Sequence, residues 1–462
     1  MQGADFDAIV RAVVRELGGQ DAGGTSGFVQ APPAPATNGG SGGGLAMVPH
    51  PPNLRRIPDP PLSTREPSPQ RERYGAGKTK VTILGAGHGG SAMAGHLTVL
   101  GFDVTVFSIY GRELEPLEAQ GGVELIGEEV RGSARYARIA RSIDQAVEDA
   151  DLIMIAAPAI AHRVYATLLA PILRDGQVVC LNPGRTGGAL EFAQILTRFA
   201  CRAEIVLGET QTFIYAAEQR GPGRVEILKE KFRMRASALP ASQNDAFMHV
   251  LRGLYPQIEP AENVLETSIN NVGGVIHPTA MLLNTHLIEE VAGGNSDLRF
   301  YKNQIGPTVA NLVMEQMDDE KCSIGHAFGL REIWTVKEWF EQSYRVAGDS
   351  MWDAMQRNPY YEGFSAPAHI LTYNHLIDEI PNTLVPVSEL GKALGVSTQM
   401  TDVIIDLACA MTQIDFRKHG RTLGVLGLDG MTRDEMLQYV NFEPLGGRCR
   451  EVGVCRALPY YR

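Results

Sequence analysis

Several things are scarce in this 462-residue chain, and each scarcity narrows its class. Cysteine occurs only 6 times, far too thinly for a disulfide framework in a chain of this length. Cys449 and Cys455 show no CxxC spacing and have no histidine nearby, so no metal site is expected. Basic charge is in deficit, with 42 Lys+Arg against 53 Asp+Glu and a formal net charge of −11. That balance excludes the basic stripe of a nucleic-acid binder. Long apolar runs are missing too. Leu152 to Ala161 is about half of a membrane span and reads as a buried strand running into a loop. No positively charged segment precedes an apolar one at the start, so a secretory signal is not expected. A soluble cytoplasmic protein follows, without membrane or nucleic-acid partners. Its length allows two or three domains of roughly 100–200 residues.

Glycine (50) and proline (27) are plentiful, and their distribution is informative. Residues 19–77 include Ala31-Pro-Pro-Ala-Pro35, Gly39-Gly-Ser-Gly-Gly-Gly44 and Pro58-Asp-Pro-Pro61. Such a segment buries too little apolar surface to offset its ordering entropy, which predicts a disordered, flexible linker. Before it, Phe6, Ile9, Val10, Val13, Val14 and Leu17 fall within an arc of roughly 140° at helical spacing, and Gly18-Gly19 ends the pattern. A helix over 1–18 is marginal alone and needs a partner, either its own globular domain or another protein. A short helix, a Gly/Pro-rich linker and a folded enzyme in that order resemble the encapsulation peptides of bacterial microcompartment cargo. The resemblance implies a shell-protein partner for residues 5–18 and a location inside such a compartment. Asp5, Asp7 and Glu16 disfavour a mitochondrial presequence.

From residue 78 the chain reads as folded. Lys80-Val-Thr-Ile-Leu84 is a strand, Gly85-Ala-Gly-His-Gly-Gly90 follows directly, Ser91 opens a helix, and Phe102 to Phe107 forms a second strand. A GxGxxG motif in this βαβ setting predicts dinucleotide binding. Gly85 serves the tight turn, Gly87 the approach of the pyrophosphate and Gly90 the helix–strand contact, with His88 inside the motif. An acid ending the second strand would bind a ribose 2′-hydroxyl, but this chain has Ser108 there, followed by Tyr110 and Arg112. A hydroxyl with a nearby guanidinium favours NADP(H) over NAD(H).

Further strands run into Pro/Gly-rich loops that line the crevice of an open α/β sheet. These are Asp151–Ile155 into Ala156-Ala-Pro-Ala, Val178–Leu181 into Asn182-Pro-Gly-Arg-Thr-Gly-Gly188, and Glu204–Leu207 into Gly208-Glu-Thr-Gln. Beyond about residue 265 helical patterns dominate, among them Thr279–Glu290, Thr308–Met317, Val336–Tyr344, Val387–Ala393 and Met400–Met411. The expected fold class is α/β, a Rossmann-type doubly wound domain (78–265) followed by an all-helical substrate domain (266–462). His277 stands out among 11 histidines. Pro278 belongs in a first helical turn, which places His277 near a helix N-terminus, where the dipole favours a neutral, proton-accepting imidazole.

Four separated motifs then bear a family likeness: Gly85–Gly90, Asn182–Phe192, Glu209–Ala217 and Val275–Asn284. With Ser323–Gly329 and Asp378–Gly391, they resemble the octopine/nopaline (opine) dehydrogenase family over about residues 78–445. The resemblance implies a reductive condensation of an amino acid or amine with a carbonyl compound, in which NAD(P)H reduces the imine. It implies His277 as catalytic base with Glu379 as carboxylate partner and Asp378 beside it. The family's Asp is here a Glu, one methylene longer. Cofactor contacts are expected from Pro158, Asn182 and Gly184, and substrate contacts from Thr210, Asn271 and Asn374. Asn374 stands where the family commonly has an arginine for the oxo-acid carboxylate. Either Arg299 or Arg331 replaces it, or the carbonyl substrate lacks a carboxylate and is an aldehyde. The rival readings are a simple C=O reductase on the same plan and an inactive nucleotide-binding protein. A homodimer is the default assembly.

Overall fold

A computed structural model describes residues 79–295, 297–367 and 374–442, with the side chain of Asn374 excluded. The helix expected over 1–18, the linker over 19–77, and Cys449 and Cys455 lie outside the described residues.

Short apolar runs pair into an eight-stranded sheet of order β12-β11-β8-β7-β6-β1-β2-β5. Its parallel half comprises β1 (Lys80–Leu84), β2 (Asp103–Phe107), β5 (Arg138–Ile139), β6 (Leu152–Ile155), β7 (Val178–Leu181) and β8 (Val206–Thr210). β11 (Met234–Leu239) joins β8 antiparallel, and β12 (Ile258–Pro260) pairs with β11 in parallel. β1 sits between β2 and β6, so the chain reverses direction across the sheet on either side of it. The ligand crevice of a doubly wound sheet opens at such a switch point. β6 and β7 are buried along their whole length, as strands covered on both faces must be.

A second sheet, β4-β3-β10-β9, is built from β3 (Gly122–Ile126), β4 (Gly132–Arg135), β9 (Tyr215–Gly221) and β10 (Arg224–Glu230). Helix α1 (His88–Val99) packs against β1 and β2 of the main sheet and against β3, β4, β9 and β10 of the second. That double cover explains why Gly90 through Leu97 are all buried and why the helix lacks a polar face. A side chain at Gly95 would come within 2.6 Å of Val123 Cγ1, so the contact requires glycine.

The strands end at Pro260, and the rest is helical. Helix α2 (Gly111–Gln120) follows β2, α3 (Ile143–Val147) precedes β6, and α4 (Ala159–Leu169) and α5 (Gly188–Arg198) follow β6 and β7. After the sheet, α6 (Gly273–Leu283), α7 (Thr285–Ala292), α8 (Glu315–Phe328), α9 (Val336–Tyr344) and α10 (Val385–Leu394) surround a second core. That core holds Met281, Phe300, Met314, Trp339, Phe340, Leu376 and Ile405. The single helix expected over Thr279–Glu290 is two, because Asn284 (φ −126°, ψ 32°) leaves the helical region and starts α7. A π-helical stretch, Ile380–Leu384, begins directly after Glu379. Among the described residues no helix is long and apolar enough to cross a membrane.

Candidate active site

The nucleotide end is built by close backbone approaches. A Cβ at Gly85 (φ +114°) would lie 2.4 Å from the carbonyl oxygen of Ala156, and one at Gly90 would lie 1.9 Å from that of Gly85. Gly87 caps α1 and His88 is its first, exposed residue. Free N–H groups of the first turn face the mouth of this loop, the setting that holds phosphates. Pro158 caps α4 on the far side of the switch point.

Ser108 directly follows β2, at the strand end as expected, but its hydroxyl is not free. It donates to Glu113 Oε2 at 2.6 Å, and the same oxygen accepts the Ala86 N–H at 3.1 Å. Arg112 is exposed in the first turn of α2. Of the two groups offered to a 2′-phosphate, only the guanidinium is uncommitted to Glu113.

The loop after β7 reaches the chemistry from below. Asn182 is buried, and neither atom of its carboxamide has a hydrogen-bond partner among the described residues. Gly184 lies against Glu209, since a Cβ there would come 2.1 Å from Glu209 Oε2. Glu209 accepts from Ala189 N–H, Thr267 Oγ1 and Ser268 Oγ, while burial pushes its carboxyl up to about 7. Arg421, wholly buried, donates to Glu191 and to the carbonyls of Gly184 and Thr186, clamping the loop. Thr210 turns its hydroxyl to the backbone, donating to the carbonyl of Thr212 at 3.0 Å. An orphaned buried carboxamide and a glycine cradle that side chains would fill are what a nicotinamide dinucleotide requires. Gly85, Gly87, Gly90 and Asn182 therefore fit such a group.

At the helical side, His277 Nδ1 is 2.8 Å from Glu379 Oε1, and Nε2 is 2.9 Å from the Tyr301 hydroxyl. His375 stacks on the imidazole, with ring centroids 4.1 Å apart and planes inclined by 15°. Glu379 is wholly buried. Its Oε1 also receives Arg185 Nη1 at 2.5 Å, and its Oε2 accepts from Thr383 Oγ1 at 3.0 Å. Asn271 stands one step behind, donating to Thr383 Oγ1 at 3.2 Å and accepting the Gly273 N–H. Asp378 faces away from the imidazole and accepts the Ile160 N–H at 2.9 Å, with Arg185 Nε 3.6 Å from its other oxygen. Burial pushes the Asp378 carboxyl up.

One sequence expectation is corrected here. His277 lies inside α6, not at its start, because Gly273 and Gly274 form the first turn and Pro278 sits within the helix. The helix dipole is not what keeps the imidazole neutral. Burial lowers its pKa well below the ordinary histidine value, and the cations of Arg185 and Lys231 lower it further.

Lys231 escaped the sequence reading. Its ammonium is buried and donates to Thr212 Oγ1 (3.1 Å) and to the carbonyl of Phe213, with the Trp339 ring centroid 4.9 Å away. Burial, then Arg185, pulls its pKa down to about 7. Among the described residues no carboxylate lies within ion-pair distance of it. Arg185, Tyr301, His375 and Glu113 were likewise not singled out. Arg185 stood inside a quoted motif and so carried a legible signal, whereas Glu113, five residues after Ser108, carried none. Of the arginines weighed as replacements at position 374, Arg331 is exposed and paired with Glu262, and Arg299 adjoins Phe300, whose ring contacts His277.

The fold and site define an NAD(P)-dependent oxidoreductase with a Rossmann-type domain and a helical domain. Residues 80–182 match the family model of the NAD binding domain of 6-phosphogluconate dehydrogenase. Residues 260–412 match that of the NAD/NADP octopine/nopaline dehydrogenase, alpha-helical domain. An opine dehydrogenase of Arthrobacter sp. (strain 1C) is 35% identical over 350 residues, spanning 76% of this chain and 95% of that protein. A solved octopine dehydrogenase with NADH and L-arginine superposes at a TM-score of 0.62 with 21% identity, covering 78% of this chain and 98% of its own. A yersinopine dehydrogenase with NADP+ bound does so at 0.57 with 16% identity, covering 78% and 97%. The chain belongs to the opine dehydrogenase family, dehydrogenases that act on the CH–NH group.

Proposed function

We propose that this enzyme condenses an amine, most simply an amino acid, with a carbonyl compound and reduces the product to a secondary amine. The observation that carries the reading is the bridge His277 makes between the Glu379 carboxylate and the Tyr301 hydroxyl. A carboxylate only accepts, so Nδ1 carries the hydrogen and Nε2 keeps its lone pair, the form that removes a proton from an arriving ammonium. The neutral amine then attacks the carbonyl carbon. The protonated imidazole returns its proton to the departing hydroxyl, which leaves as water. The glycine loop and Asn182 would hold NAD(P)H, which when bound would supply the hydride that reduces the C=N bond. Glu379 holds the tautomer and offsets the charge that His277 gains.

The division of labour we propose follows the boundaries 78–265 for the nucleotide and 266–462 for the substrates, with Lys231 of the first segment reaching across to the second, its ammonium over Trp339. A buried ammonium at Lys231 that has no carboxylate partner among the described residues supports a 2-oxo acid as carbonyl partner, since the substrate's carboxylate would supply a counter-ion. The aldehyde alternative rests on Asn374 and on the proposed location in a microcompartment, whose lumen typically contains an aldehyde.

The test follows nicotinamide absorbance with 2-oxo acids and aldehydes, each with and without amino acids. Oxidation that requires both partners, strongest with 2-oxo acids and weakened at the level of their KM in K231M, is the expected result. Turnover with the carbonyl compound alone would make the enzyme a C=O reductase. Cofactor binding without turnover on any pair would make it a silent nucleotide-binding protein.

We further propose residues 5–18 as a docking peptide for a microcompartment shell protein, supported by their apolar stripe and the Gly/Pro-rich composition that follows. Deleting residues 1–20 should leave turnover intact and abolish recruitment to a shell. Loss of folding on deletion would assign the helix to the enzyme's own core.

A further inference from the structure

In a dinucleotide fold the choice between NADH and NADPH is made where the adenosine ribose lies, between the glycine loop and the end of the second strand. The residue directly after β2 here is Ser108, which has no charge. A carboxylate nevertheless reaches that place from the next helix. Glu113 Oε2 accepts the Ser108 hydroxyl at 2.6 Å and the Ala86 N–H at 3.1 Å, tying the strand end to the first turn of the glycine loop. Its other oxygen adjoins Gly87, because a Cβ built there would stand 3.4 Å from Glu113 Oε1. Ser108 is locked from its far side as well, its oxygen accepting the Tyr110 N–H at 3.1 Å.

We infer that Glu113 is the cofactor-specificity residue of this enzyme and that it selects NADH against NADPH. It does from the first turn of α2 what an acid at the strand end does elsewhere. The two oxygens are acceptors only. A ribose with a free 2′-hydroxyl brings donors to them and can take the place of Ser108 as their partner. A 2′-phosphate brings up to two negative charges and no donor to the same oxygens, within a half-buried site where like charges are poorly screened. Arg112 does not reverse this balance. Its guanidinium is exposed to water, whereas the carboxylate sits on the loop itself. The preference that Ser108 and Arg112 favour from sequence alone is thereby inverted by a neighbour five residues further on.

The inference rests on the nicotinamide-dinucleotide reading of the site but not on the identity of the amine or carbonyl substrate. Its test is therefore a binding measurement without either substrate. Dissociation constants for NADH and NADPH would be measured on the full-length enzyme by nicotinamide fluorescence, for the wild type, E113Q, S108A and R112A. The wild type should bind NADH more tightly by on the order of 100-fold, the scale of an uncompensated like-charge contact. E113Q should shrink that ratio at least about tenfold, chiefly by tightening NADPH. S108A keeps the carboxylate and should keep the preference, which guards against an E113Q protein that fails to fold. A wild type that binds NADPH as tightly as NADH overturns the inference. So does a ratio that responds to R112A and not to E113Q. Binding of neither nucleotide would overturn it together with the cofactor reading, whereas a clear NADH preference without turnover would leave it standing and sink only the proposed reaction.

Discussion

Arg185 and His277 share one oxygen: Glu379 Oε1 stands 2.5 Å from Arg185 Nη1 and 2.8 Å from His277 Nδ1. Arg185 adopts a left-handed backbone (φ +62°) in the loop after β7, and that loop is what brings its guanidinium to the carboxylate. The acid partner of the imidazole is thus charge-balanced by the nucleotide-binding domain, while His277 and Glu379 both come from the helical one. The dyad belongs to one domain and its counter-charge to the other.

Replacing Arg185 tests this directly. R185Q leaves Glu379 wholly buried without its counter-ion and should destabilise the protein by about 3 kcal/mol, the lower end for breaking a buried pair. Denaturant unfolding reads the loss. R185K, which keeps the charge without the planar fork, should recover part of it. An unchanged unfolding midpoint in R185Q would show that the pair contributes nothing.

Removing the imidazole should separate chemistry from binding. H277N is expected to lower kcat by roughly 10²–10⁴-fold, the span of general acid–base assistance, with NADH affinity kept. A loss smaller than about tenfold would move the proton-transfer role elsewhere. Tyr301, on the other ring nitrogen, is the next group to test.

The length of the acid matters as well as its charge. In E379D the carboxylate retreats by one carbon–carbon bond, about 1.5 Å, which opens the 2.8 Å contact with Nδ1. We expect kcat to fall about tenfold in E379D and further in E379Q, which loses the charge that offsets the imidazolium. If E379D equals or exceeds the wild type, the extra methylene is not part of the fit.

The glycine cradle is equally exposed to test. G90A places a Cβ 1.9 Å from the Gly85 oxygen, against backbone that cannot yield as a flexible side chain would. Cofactor binding measured by fluorescence should be lost or weakened at least 100-fold, because the phosphate-binding turn must shift.

Stability should depend on pH in a way the buried groups dictate. His162 and His375 are held far below the ordinary histidine value by burial first, and His277 is lowered by the same cause. Below about pH 6.5 the unfolded chain binds protons that the folded one refuses, so stability is lost as pH falls. Glu209 works in the opposite direction. Its folded pKa of about 7 exceeds the ordinary glutamate value, so its contribution is present at low pH and lost as pH rises through that window. The melting temperature should therefore decline from pH 6.5 downward, and E209Q should make the decline steeper. A profile flat between pH 5 and 7 in both proteins would contradict the sign.

Much of this molecule is written locally. The run Lys80–Leu84, the glycines that follow it and the strand to Phe107 are short-range patterns, and the parallel core they imply is the one observed. The likeness to opine dehydrogenases also pointed to His277 and Glu379, although 102 residues separate them. What no local pattern contains is pairing across long separations. Leu125, in a segment that no short-range pattern singled out, pairs with Val225 of β10, 100 residues away, in a second sheet that buries α1 from its other side. Lys231 reads as a surface lysine and is buried under Trp339 and Tyr344. Glu113 reads as one acid among several in α2 until its oxygen is seen on Ala86. Sequence determined the first strands and the nucleotide motif, because propensity, turn chemistry and motif spacing act over a few residues, whereas the acid–base pair came as what the family likeness implies. Tertiary structure decided which charges meet, and therefore which state His277 adopts, because burial and Coulomb interactions depend on distance in space and not along the chain.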